Sequence, residues 1–78
     1  MRKSSLRCVV TFHTTAGAMA AERLCRREGR EGRLISVPRS LTSDCGLAWS
    51  APPELRPVLE RRLSEAGVET AGFHTLTL

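Results

Sequence analysis

The chain has 78 residues, 41% of them hydrophobic and 26% charged, with a formal net charge of +4. That length holds one small domain, residues 1–78, with a thin core, and not two. No apolar run approaches the ~20 residues needed to span a bilayer, and the aromatic residues, Phe12, Trp49 and Phe73, are too few and scattered for a nucleic-acid platform despite the basic charge.

The start, "MRKSSLRCVVTF", is basic, but Arg7 interrupts its apolar stretch and no small-residue cleavage pattern follows. Residues 1–5 therefore read as a ragged N-terminus leading into a strand rather than a signal peptide. In "LRCVVTF" Leu6, Cys8, Val10 and Phe12 fall on one face and Arg7, Val9 and Thr11 on the other, which predicts a first strand. "HTT" stops it, and Thr14 or Thr15 is placed to accept a hydrogen bond from the first turn of a helix. "AGAMAAERLCRREG" consists of good helix formers. Its clearest apolar stripe is Ala18, Ala21, Leu24 and Cys25, and Gly29 is a suitable stop.

"RLISVP" predicts a second strand, ended by Pro38. After the polar loop "RSLTSD", "CGLAWS" predicts a short third strand that begins at Cys45, with Gly46 marking an unusual backbone conformation or a close approach. "SAPPELRPVLERRLSEAG" predicts a second helix with its prolines in the first turn, where a missing N–H costs nothing. Leu55, Leu59, Leu63 and Ala66, with Val58, make its buried stripe, and Gly67 ends it. "VETAGFHTLTL" predicts a fourth strand. The many arginines of the two helices alternate with glutamates, as on an ordinary solvated face.

The order β-α-β-β-α-β is the split βαβ, or ferredoxin-like, pattern of an α+β fold. Its usual form is a four-stranded antiparallel sheet with two helices on one face. Following the chain up and down brings the loop between strands two and three to the same end as the "FHTT" turn. With strand three beside strand one, Cys45 falls near His13, Thr14 and Thr15 and faces the N-terminus of the first helix. Two readings of Cys45 stand at this point. It is either a reactive thiol, favoured by helix amides and by His13 or Arg39, or a half-buried residue beside an Asp44 turn and a Gly46 bulge. Arg39 would hold an anion or cap its loop. Cys8 and Cys25 lie on apolar faces and read as small buried hydrophobes.

The three widely spaced cysteines form no CxxC pair, and no HxxxH pair accompanies them. The chemistry therefore points to free thiols in the reducing cytoplasm, with no metal and no cofactor.

The residues carry more than the pattern does. "TFHTTAGAMAAE", with Phe12, Thr14, Ala18 and Glu22, precedes "VPRSLTSDCGLA", with Pro38, Arg39, Leu41, Ser43, Cys45, Gly46 and Ala48. Together with the ending "LERRLSEAGVETAGFHTL", the chain from about Leu6 onward resembles a small bacterial family described as selenium/sulfur carrier protein-like. The central motif is the specific part of the likeness. The resemblance implies that Cys45 carries sulfur or selenium as a persulfide or selenosulfide, with Arg39, Ser43 and Gly46 around it. It also implies donor and acceptor proteins as partners, and a carrier rather than a turnover enzyme. Known small sulfur carriers use a paired motif with proline that is absent here, so the likeness to them is one of analogy. Two other readings compete: a non-catalytic ferredoxin-like interaction or regulatory domain, and a thiol redox sensor. An exposed edge strand in so small a sheet leaves pairing with a second copy open.

Overall fold

The structure is a computed structural model that describes residues 5–78. Of the ragged start expected over residues 1–5, residues 1–4 lie outside the described part. Ser5 exchanges a pair of main-chain hydrogen bonds with Leu78, at 3.2 and 3.0 Å.

Alternating side chains and β-branched residues make Leu6–Thr11 a strand, β1. Thr14 then caps helix α1, Thr15–Arg27: its hydroxyl accepts the Gly17 N–H at 3.0 Å. Ala18, Ala21, Leu24 and Cys25 are the buried face of α1, the stripe that the sequence periodicity predicts. The helix closes when Arg30 N–H reaches back to Cys25 O and Gly29 N–H to Arg26 O. Strands β2, Arg33–Ser36, and β3, Leu47–Ala51, form a hairpin. A short 3-10 turn, Pro53–Leu55, leads into helix α2, Arg56–Glu65. That helix ends as α1 does, with Val68 N–H to Leu63 O and Gly67 N–H to Ser64 O. Strand β4, Gly72–Thr77, completes the chain.

The sheet is antiparallel throughout in the order β2-β3-β1-β4, and the element order is β-α-β-β-α-β. This is the ferredoxin-like α+β arrangement that the sequence predicts. Cys8, Val10, Phe12, Trp49 and Ala51 on one face of the sheet meet Ala18, Ala21, Leu24 and Cys25 of α1 and Leu59 and Leu63 of α2. Each of these side chains is removed from water, which supplies most of the drive to fold.

Four boundaries differ from the sequence reading. Strand β3 starts at Leu47 rather than Cys45, which leaves Cys45 and Gly46 in the loop. Ala51, and Ser50 which the sequence reading put in both segments, belong to β3 and not to the second helix, because they pair with Cys8 and Val9 of β1. A main-chain ladder outweighs the local start signal that the prolines give. Pro52 and Pro53 consequently precede α2, and only Pro57 lies in its first turn. Strand β4 begins at Gly72, four residues later than "VETAGFHTLTL" suggests. Ala66, expected on the buried stripe of α2, is exposed at the C-terminal cap, and Leu55 and Val58 are half-buried.

Candidate functional site

The hairpin β2–β3 stays paired as far as Val37, whose N–H donates to Gly46 O at 3.0 Å. The chain between them, Pro38–Cys45, leaves the sheet. Leu41 N–H returns to Pro38 O at 3.0 Å, so Arg39 and Ser40 occupy the middle of a tight turn. Arg39 is exposed there, with no side-chain hydrogen bond or ion pair among the described residues. Gly46 has φ +77, a conformation that any other residue adopts at a cost, and open space surrounds it.

Ser43 ties this loop to the end of β1. Its hydroxyl donates to Phe12 O at 3.0 Å, and the same oxygen accepts the Cys45 N–H at 3.4 Å. The Cys45 Sγ lies 4.0 Å from it. A serine has one hydroxyl proton, and the shorter contact to Phe12 O claims it. A second tie lies outside: His13 Nδ1 and Asp44 Oδ2 are 3.1 Å apart, with both side chains largely exposed. His13, Thr42, Ser43, Asp44 and Ala71 line a shallow cleft of about 270 Å³ between these loops.

Cys45 is half-buried and rests against the edge of the core. Its sulfur is held by its own loop: Leu47 N–H donates to Sγ at 3.4 Å, and the thiol donates to Leu47 O at 3.5 Å. The first turn of α1 supplies none of these bonds. Two of its amides are turned to Thr14 instead, Gly17 N–H to the Thr14 hydroxyl and Ala18 N–H to Thr14 O. Thr14 therefore serves as a helix cap, and Thr15 is the exposed first residue of α1. The two top loops meet through Ser43 and Asp44, one on Phe12 and the other on His13. Cys45 itself forms no hydrogen bond with His13, Thr14 or Thr15 among the described residues.

The other two thiols are closed off. Cys8 and Cys25 are 0% and 1% exposed. Burial pushes both thiols up from their ordinary value. Arg56 opposes this at Cys8 and Glu60 adds to it, while at Cys25 Glu28 adds and Arg30 opposes. Both stay protonated at neutral pH and out of reach of reagents.

Two participants are absent from the sequence reading of the site. Asp44 figures there only as a turn residue. A histidine and an aspartate on loops that the topology brings together are the signal that could have identified the pair. The Leu47 amide has no sequence signal, because its role depends on where the strand begins. Among the described residues no group of three or more His, Cys, Asp or Glu side chains is placed to hold a metal ion. Nor is any described helix long and apolar enough to cross a membrane.

Residues 7–75 match the family described as "Putative Se/S carrier protein-like". No curated protein and no solved structure matches the chain.

Proposed function

We propose that this chain, which belongs to the Se/S carrier protein-like family, carries sulfur or selenium on the Cys45 thiol between partner proteins. The observation that carries the reading is the contrast among the three cysteines. Cys8 and Cys25 are sealed in the core, and Cys45 alone is half-exposed, on a loop followed by an unobstructed glycine.

The chemistry asks for little more. A donor protein presents a persulfide, R–S–SH. The Cys45 thiolate attacks its outer sulfur, so an Sγ–S bond forms and the donor's S–S bond breaks. The donor sulfur leaves as a thiolate and takes up a proton, and Cys45 holds the persulfide. No net oxidation occurs, and delivery to an acceptor is the same exchange in reverse. Selenium follows the same course through a selenosulfide. The Leu47 N–H aimed at Sγ donates equally to a sulfur that carries charge during the exchange. The burial of Cys8 and Cys25 as free thiols matters too, because an accessible neighbouring thiol would discharge the persulfide as a disulfide. Open space at Gly46 lets a partner's active-site backbone approach closely.

Incubation with a cysteine desulfurase and cysteine, followed by intact-protein mass spectrometry, tests this reading. The expected product is one added sulfur atom on Cys45, released by a thiol reductant and absent from Cys45→Ser. Sulfur on Cys8 or Cys25 would sink the assignment. So would a failure to load at Cys45 when a small-molecule persulfide is offered. A disulfide-linked pair of chains joined at Cys45 under mild oxidant, without persulfide loading, would support a redox sensor instead.

A further inference from the structure

Both described helices pack on one face of the sheet, which leaves the second face without a helix among the described residues. Strand register assembles it in four rows: Arg33 and Ile35 of β2, Ala48 and Ser50 of β3, Arg7, Val9 and Thr11 of β1, and Gly72, His74 and Leu76 of β4. Small residues on the two central strands form its floor. Val9, Thr11, Ala48 and Ser50 are 0–3% exposed although neither described helix packs over them. The longer side chains around them form the cover. Arg7 lies across Ser50, with its Nε donating to the Ser50 hydroxyl at 3.0 Å and an Nη to Ser50 O at 3.4 Å.

Solvent therefore meets Arg7, Arg33 and His74, with Ile35 and Leu76 at the two flanks. None of the strand residues on this face is an aspartate or glutamate. Neither arginine pairs with a carboxylate among the described residues. The helices are different: Glu22, Glu28, Glu60 and Glu65 answer their arginines there.

We infer that this uncovered sheet face docks an acidic, partly apolar segment of a partner protein. Carboxylates of the segment would meet Arg7 and Arg33, whose planar forks suit bidentate pairing, and its apolar side chains would lie on Ile35 and Leu76. Two other occupants fit less well. A second copy would bring the same arginines against this face, and like charges oppose that pairing. Single-stranded nucleic acid needs aromatic rings to stack on. Phe12, Trp49 and Phe73 all pack on the helix side. The inference stands apart from the sulfur chemistry, because the hydrogen bonds of Cys45 go to Ser43 and Leu47 and to no strand residue of this face.

The test uses the full chain and a fluorescent peptide of alternating Glu and Leu, read by anisotropy and by amide NMR shifts. Binding is expected to weaken as salt rises from ~0.01 to ~0.15 M, with shifts centred on Arg7, Arg33, Ser50 and His74. Exposed Arg33→Glu should weaken it ~10-fold or more, and Arg61→Glu, on the outer surface of α2, should leave it unchanged. Equal losses in the two variants would mean non-specific attraction to a cationic protein and overturn the inference. Shifts confined to the helices would do the same. So would tighter binding of an oligothymidylate, or self-association of the peptide-free chain that Arg33→Glu abolishes.

Discussion

Replacing Ser43 by alanine tests how the Cys45 loop is held. One hydroxyl makes two of the loop's ties, donating to Phe12 O at 3.0 Å and accepting from Cys45 N–H at 3.4 Å. Each net hydrogen bond contributes about 0.5–1.5 kcal/mol, so the pair contributes about 1–3 kcal/mol. The other side-chain tie to the β1 end, His13 to Asp44, is exposed and adds about 0–1 kcal/mol. The loop in Ser43→Ala should therefore open ~5- to 140-fold more often, since 1.4 kcal/mol is a factor of ten. The sheet ladder on either side does not involve the hydroxyl, so the opening should be local. Native-state alkylation followed by mass spectrometry reads all three thiols at once. Labelling of Cys45 should rise by that factor, while Cys8 and Cys25, buried between the sheet and the helices, should respond much less. Ser43→Thr keeps a hydroxyl and should restore most of the protection. The reasoning fails if Cys45 labelling is unchanged. It fails equally if all three thiols accelerate by one common factor, because the loop would then open only with the whole fold.

Two further outcomes follow from the fold. Gly32 has φ +150, and a Cβ there would lie 2.7 Å from Ser50 O and from Cε2 and Nε1 of buried Trp49. Overpacking and backbone strain each cost about 1–3 kcal/mol, so Gly32→Ala should lower Tm by at least ~10 °C, read from the fluorescence of Trp49, the chain's one tryptophan; a variant as stable as the parent would refute the packing. Glu28 bridges the helices: hydrogen bonds from Arg62 hold its carboxyl below the usual range, with Arg30 adding to this and desolvation opposing it. A depressed folded value means that the contribution is present above the unfolded value of ~4.3 and is lost as pH falls through the folded one. Glu28→Gln should therefore lower the urea midpoint at pH 7, the gap to the parent should narrow as pH falls below ~4.3, and a gap that stays constant into acid would exclude the linkage.

Much of the fold is legible in the chain because it is set by local rules. The helix stripe Ala18, Ala21, Leu24 and Cys25, the Thr14 cap and the glycines that stop both helices depend on spacing within a few turns. The alternation Cys8, Val10, Phe12 against Arg7, Val9, Thr11 fixes which face of β1 meets the core. The order of elements then leaves few ways to close the sheet, and the motif around Cys45 singles out one thiol of three. What the sequence could not set is anything decided by pairing between distant segments. Whether Ser50 and Ala51 extend a strand or begin a helix depends on Val9 and Cys8 being there to receive them. That pairing starts β3 at Leu47, leaves Cys45 in the loop, and puts the Leu47 amide rather than the α1 N-terminus against its sulfur. It also lays Arg7 across Ser50 and sets Arg33 on the same face, whose strand residues include no aspartate or glutamate. A residue's neighbours along the chain record its conformational preference; its neighbours across the sheet are fixed only when the register is.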